Sequence, residues 1–234
     1  MKFALVSGTS INHSPLFSDW APFTVETKYG AVRLRSRGDQ VVLNRHGAGP
    51  APLPPHSINA RANFAALAQL GFSDVVSFNS VGSLRPSLAP GTLLSCSDYV
   101  AIQQPPATYH DEALQAGAPG IANNLVPGIV AALAPEFSVA TGQTYVHTRG
   151  PRFETRAEIR VMKAWGDVVG MTLAPEADLC TELGLRYNSF GMVDNYANGI
   201  EGAALDYASF KQMVLENQER VNRFIARLLE FLSR

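Results

Sequence analysis

Three short segments of this 234-residue chain combine glycine, hydroxyl and cationic side chains in ways suited to holding an anion. Ser7-Gly8-Thr9-Ser10 follows the apolar run Phe3–Val6, and a strand ending in a small glycine-containing turn exposes N–H groups and hydroxyls to phosphate or carboxylate. Asn44-Arg45-His46-Gly47 follows the run Gln40–Leu43; there Arg45 can hold an oxyanion bidentately and His46 can donate to it. Asn79-Ser80-Val81-Gly82-Ser83-Leu84 follows a third run, Asp74–Phe78. Ligands of α/β domains gather at the carboxyl ends of strands. Three such turns after three strands therefore predict one shared anion site. Neither a Walker lysine nor a G-x-G-x-x-G run is present, which argues against a nucleoside triphosphate or dinucleotide cradle.

The elements that must position these turns follow from hydrophobic periodicity. Leu93–Ala101, Val168–Met171 and Leu185–Val193 join the three runs above as expected strands, most of them continuously apolar as central strands are. Between them Ser57 is the expected cap of a helix bearing Ile58, Ala62, Ala65 and Leu70, ended by Gly71. Thr155-Arg156-Ala157-Glu158 has capping-box spacing ahead of Ile159, Met162 and Trp165, and Pro175 fits the first turn of a helix closed by Gly184. A last helix over Tyr207–Leu232 places Phe210, Met213, Val221, Phe224, Leu228 and Phe231 near one face. Alternating strands and helices predict a layered α/β domain with a mostly parallel or mixed sheet, one domain over residues 1–234. Residues 47–55 and 103–122, rich in proline or in proline and glycine, read as loops.

Composition narrows the function. Lys+Arg 19 against Asp+Glu 20 gives a net charge of -1, and 46% of residues are hydrophobic, which excludes a disordered chain. No basic block offers a nucleic-acid or acidic-membrane surface, and no apolar run is long enough to span a bilayer. No secretory leader is evident. Cys96 and Cys180 cannot make a disulfide framework, and no His, Cys, Asp or Glu set has metal-ligand spacing, so a reducing cytoplasm and a small-molecule ligand without a metal are expected. His110 and His147 are expected at the surface or an interface, and the two cysteines as small buried hydrophobes.

Taken in order, Arg45-His46-Gly47, Asn59 with Ala62-Asn63, Asn79–Leu84 and Pro90-Gly91 resemble the trimeric purine nucleoside phosphorylases and methylthioadenosine phosphorylases. Gly150-Pro151-Arg152-Phe153-Glu154-Thr155, Ala157-Glu158, Gly170-Met171-Thr172 and Pro175-Glu176 continue the resemblance, which spans roughly Phe3 to Leu232. It implies a mixed, barrel-like central sheet flanked by helices, a homotrimer or a dimer of trimers, and reversible phosphorolysis with inorganic phosphate as co-substrate and no other cofactor. It implies phosphate binding by Thr9, Arg45, His46, Ser80 through its backbone N–H, and Thr172. Met171 would lie under the ribose, with Val81, Gly82 and Phe153 walling the base pocket.

Purine choice turns, by the same resemblance, on Glu154 and Asn195. A carboxylate at 154 accepts the N1–H of a 6-oxopurine, whereas adenine offers only a lone pair there. Asn195 would bond N7 and O6, and with His46 and Glu154 it completes the implied catalytic set. The branch that cleaves methylthioadenosine has Ser and Asp at these positions and a further Asp where this chain has Ala197. A one-residue shift at Asp194 would restore an acid, so 5′-methylthioadenosine remains the alternative substrate. Leu205 and Ala208 are expected beside the sugar 5′ group, where their apolar character favours 5′-methylthioinosine. Pro50, Pro52 and Gln103-Gln104-Pro105-Pro106 depart from the family pattern. A nucleosidase and a non-catalytic purine nucleoside binder remain as rival readings.

Overall fold

The computed structural model describes residues 2–8, 11, 14–47, 49, 51–102, 105–114, 117–202 and 207–233. The nine strands of its sheet are β1 (Phe3–Ser7), β2 (Ala21–Thr27), β3 (Gly30–Arg37), β4 (Gln40–Asn44), β5 (Asp74–Ser83), β6 (Leu93–Val100), β7 (Val139–His147), β8 (Val168–Gly170) and β9 (Arg186–Tyr196). The helices are α1 (Ala60–Gln69), α2 (Val126–Leu133), α3 (Arg156–Met162), α4 (Leu173–Glu182) and α5 (Tyr207–Leu232). None of them is long and apolar enough to cross a membrane.

The strands lie in the order β2-β3-β4-β1-β5-β8-β7-β6-β9, and a β5–β9 pairing closes the last five into a barrel. β1 pairs in parallel with β4 and β5, and β5 with β9, while β8 and β6 enter antiparallel to β5 and β9. The mixed, barrel-like sheet implied by the resemblance is therefore present. β1 is buried along its length, so its alternating side chains serve two cores. Phe3 and Leu5 pack with Phe78, Phe190 and Phe224 toward α2 and α5, while Ala4 and Val6 pack with Phe64, Leu67 and Leu173 toward α1 and α4.

Several boundaries differ from expectation. Asn79–Ser83 is not a turn: it continues β5, because its partner β9 also runs on, pairing through Ser83 with Tyr196. Asn59, not Ser57, caps α1 by accepting from the Ala62 N–H, while Ser57 ends a 3-10 turn begun by Pro55. The capping box of Thr155 and Glu158 forms at α3 as expected. Cys96 and Cys180 are buried and free, and burial pushes the Cys96 thiol up to about 12.

Candidate active site

A cleft of about 1570 Å³ opens where β1, β4 and β5 end and α4 begins, with the first turns of α5 forming one wall. It gathers Arg45, His46, Ser80, Val81, Gly82, Phe153, Glu154, Met171, Thr172 and Asn195 from five separate stretches of chain. Thr9 and Leu205 lie outside the described residues, as do Pro50, Gln103 and Gln104. Ala208 is exposed in this chain and does not line the cleft, to which α5 contributes Tyr207, Phe210, Lys211, Val214 and Leu215. Their i, i+3, i+4, i+7, i+8 spacing marks one helix face, the signal that would have found them. Phe210 meets the Phe153 ring edge-on at 5.7 Å, which joins α5 to the segment carrying Glu154.

Arg45 is only 3% exposed, and most of its donors turn inward. Nε donates to Glu176 Oε1 at 2.6 Å, Nη2 to Ser77 Oγ at 2.7 Å and to Glu176 Oε2 at 3.3 Å, and Nη1 to the Phe78 carbonyl at 3.0 Å. Ser77 and Tyr187 hydroxyls also donate to Glu176, at 3.0 and 2.8 Å. A guanidinium has five N–H groups. These bonds leave one, on Nη1, so the fork expected to clamp an oxyanion is already filled by an internal carboxylate. That Nη1 lies beside the turn after β1, 3.2 Å from where a Cβ on Gly8 would stand.

His46 faces the same turn. A Cβ on Gly8 would lie 2.7 Å from its Cδ2 and Nε2, so only glycine lets the imidazole approach that backbone. His46 Nδ1 sits 2.7 Å from the Leu53 carbonyl. A carbonyl only accepts, which puts the proton on Nδ1 and leaves Nε2 as a lone pair directed at Gly8 when the ring is neutral. Burial lowers the His46 pKa, against the opposing pull of the Leu53 carbonyl, and so favours that neutral form near pH 7. Thr172 caps the cleft end of α4, where the helix dipole favours an anion; its Oγ1 donates to Asn79 Oδ1 at 3.1 Å.

At the opposite chemistry, Glu154 is 6% exposed and accepts from Thr148 Oγ1 at 2.6 Å, while its carbonyl takes the Asn198 amide at 3.1 Å. The β5–β9 register pairs Val81 with Val193 and Gly82 with Asn195, so Asp194 sits in a bulge with no residue opposite. Bulges re-aim side chains. Here Asn195 lines the cleft, its Nδ2 close to Gly82, whereas Asp194 points to Ser80 Oγ and to Asn217 Nδ2, 3.0 Å away on α5. Among the described residues no group of three His, Cys, Asp or Glu side chains could hold a metal ion.

His147, expected at the surface or an interface, is buried within this chain, its ring stacked 6.3 Å from Tyr145 and its Nδ1 without a partner among the described residues. Burial alone lowers its pKa from 6.5 to about 4. As pH falls through 6.5 the unfolded chain takes up this proton while the folded one does not until about 4, so stability is lost on acidification. Each pH unit between those limits is worth about 1.4 kcal/mol. The stability margin of the wild type over His147→Phe should fall by roughly 2 kcal/mol between pH 7 and pH 5 in urea denaturation; an equal margin at both pH values would refute the assignment.

A family model described as the phosphorylase superfamily matches residues 2–230. The chain belongs to that superfamily. Among its similar relatives is a probable 6-oxopurine nucleoside phosphorylase of Dictyoglomus turgidum, 34% identical over 98% of this chain and 91% of the relative. A probable S-methyl-5′-thioinosine phosphorylase of Methanocaldococcus jannaschii is 35% identical over 88% of this chain and 84% of its own. A solved structure of methylthioadenosine phosphorylase from Schistosoma mansoni superposes with a TM-score of 0.76 at 26% identity, covering 99% of this chain and 89% of that one. This superfamily member thus places a carboxylate, an amide and a helix N-terminus in one cleft.

Proposed function

We propose that the chain is a purine nucleoside phosphorylase, a pentosyltransferase that cleaves a 6-oxopurine nucleoside with inorganic phosphate as co-substrate and no other cofactor. What carries this reading is one juxtaposition: Glu154 and Asn195 share a cleft with Arg45, His46 and Thr172, and His46 in turn lies against Gly8 after β1. The likeness to relatives named for 6-oxopurine and methylthioinosine phosphorolysis supports it. Phosphate would be held by Thr172 at the α4 terminus, by His46, by the remaining Arg45 N–H, by Ser80 and by Thr9. Neutral His46 Nε2 accepts the one O–H of hydrogen phosphate, leaving its bare oxygens to face the sugar. A phosphate oxygen attacks C1′, the C1′–N9 bond breaks with its electron pair passing to the purine, and the sugar leaves as its 1-phosphate. Asn195 donates to N7 as charge grows there, and Glu154 accepts from N1–H. Val81, Phe153 and Met171 keep the bond region dry.

The apolar α5 wall of Tyr207, Phe210, Val214 and Leu215 favours 5′-methylthioinosine over inosine. An apolar contact of this kind discriminates by about 1–3 kcal/mol. The whole chain acts as one catalytic domain in a homotrimer, or a dimer of trimers, in the cytoplasm, a setting that two buried thiols fit. The test is base release from inosine, adenosine, 5′-methylthioinosine and 5′-methylthioadenosine, each with and without phosphate. Hypoxanthine release that needs phosphate and is fastest from 5′-methylthioinosine is expected. Release without phosphate would make it a nucleosidase, adenine release a methylthioadenosine phosphorylase, and binding without release a nucleoside binder.

A further inference from the structure

We infer that Asp194 is a positioning residue that fastens α5 to the floor of the cleft and thereby sets the alignment of phosphate and base. The inference rests on the phosphorylase reading of that cleft. Asp194 is 2% exposed, and the residues that bind it, Ser80 and Asn217, are both uncharged. A buried carboxyl without a cation is costly unless hydrogen bonds satisfy it. Such a group is kept at that cost where it specifies one arrangement, and its partners here come from different walls. Ser80 belongs to β5 and lines the cleft. Asn217 lies on α5, one short turn beyond Val214 and Leu215, which also line it.

The bulge makes the arrangement specific. Because Asp194 has no opposite residue on β5, its carboxyl is free of the ladder's side-chain alternation and reaches α5, while the next residue, Asn195, is turned into the cleft. One peptide therefore carries both the tie to α5 and the amide proposed to meet the purine. From α5 the contact continues through Phe210 to the Phe153 ring, next to Glu154. Burial also raises the Asp194 pKa, opposed by the Ser80 and Asn217 hydrogen bonds, which marks the site as dry. Loss of the tie would let α5 and Asn195 shift together. Displacements of about 1 Å at positions remote from the reacting atoms cost on the order of 100-fold in rate.

The experiment compares wild type with Asp194→Ala, Asn217→Ala and the double variant, measuring kcat, KM for inosine, KM for phosphate, the inosine-to-adenosine ratio of kcat/KM, and Tm. Asn217 lies outside the cleft lining, so its loss removes the tie without touching substrate. Each single variant should lose about 10- to 100-fold in kcat with the base ratio held within about threefold, and the double should be no worse than the worse single. A lowered Tm with unchanged kcat, or additive losses, overturns the inference in favour of a merely structural contact. A base ratio altered by more than about tenfold in Asp194→Ala overturns it in favour of direct contact with the purine. If wild type binds hypoxanthine but turns nothing over, the phosphorylase reading fails by itself, and the tie is then judged by hypoxanthine Kd, which should weaken at least about fivefold in Asn217→Ala. An unchanged Kd overturns it. If wild type neither turns over nor binds, both readings fall.

Discussion

Asn195→Asp should cost about 100- to 1000-fold in kcat/KM for inosine and narrow or invert the preference over adenosine. In the proposed mechanism the amide donates to N7, where the departing purine gathers negative charge; a carboxylate there would withdraw the donor and set like charge against it. Glu154→Gln should act in the same direction but less, by about 10- to 100-fold, since the bond lost is a single charge-assisted one worth roughly 1.5–3 kcal/mol. The glutamine can still accept from Thr148 through its carbonyl oxygen, so the drop reports the base rather than a collapsed pocket. Adenosine, which has no N1–H to offer, should be cleaved at least as well by this variant. Steady-state kinetics on the two nucleosides decides the matter: an unchanged ratio in both variants would remove Glu154 and Asn195 from base recognition.

Glu176→Ala should be the most destabilising single change away from the base pocket. It strands the Arg45 guanidinium, 3% exposed, with one carbonyl and one hydroxyl as its principal partners, and it removes the acceptor of Ser77 and Tyr187. Breaking a buried pair in this way costs about 3–5 kcal/mol. For a chain of this size that corresponds to a Tm lower by roughly 6–20 °C. Arg45→Met combined with Glu176→Leu should regain much of the stability, because an apolar pair replaces a buried ionic one at little cost. The double variant should nevertheless bind phosphate weakly, since the last Nη1 donor beside Gly8 is gone. Thermal denaturation and KM for phosphate separate the effects; a double variant with wild-type KM would show that Arg45 serves the fold alone.

The parts of the fold legible in the sequence are those whose signal is local. β1, β4, β5 and β9 stand out as apolar runs because both of their faces are buried. β2 and β3 escape notice because Arg33, Arg35 and Arg37 interrupt the run and only Val32 and Leu34 are fully buried, with Phe23 and Val25 half-buried against the same core. α2 begins without a side-chain cap, and although Pro127 suits a first turn, Gly128 beside it makes the pair read as loop. The cleft residues contributed by β4, β5, β9 and the start of α4 were legible through resemblance to a family, whereas Asn79–Ser83, expected as a turn, continues β5, and the α5 wall went unnoticed. The partner of Arg45 was not legible, because Glu176 is 131 positions away and no spacing rule joins them. Nor was the division of labour between Asp194 and Asn195, which a bulge decides and neighbouring sequence does not announce.

The closure of β5, β8, β7, β6 and β9 into a ring has a consequence for assembly. A ring has no edge strand, so among the described strands β2 is the edge strand of the sheet. That strand carries Pro22, which offers no N–H, and the charged Glu26, both of which discourage strand addition. Two β2 edges paired antiparallel would in any case relate subunits by a two-fold axis, which generates a dimer and never a three-membered ring. The proposed homotrimer must accordingly be joined through side-chain faces and loops, with each subunit's sheet ending inside its own chain.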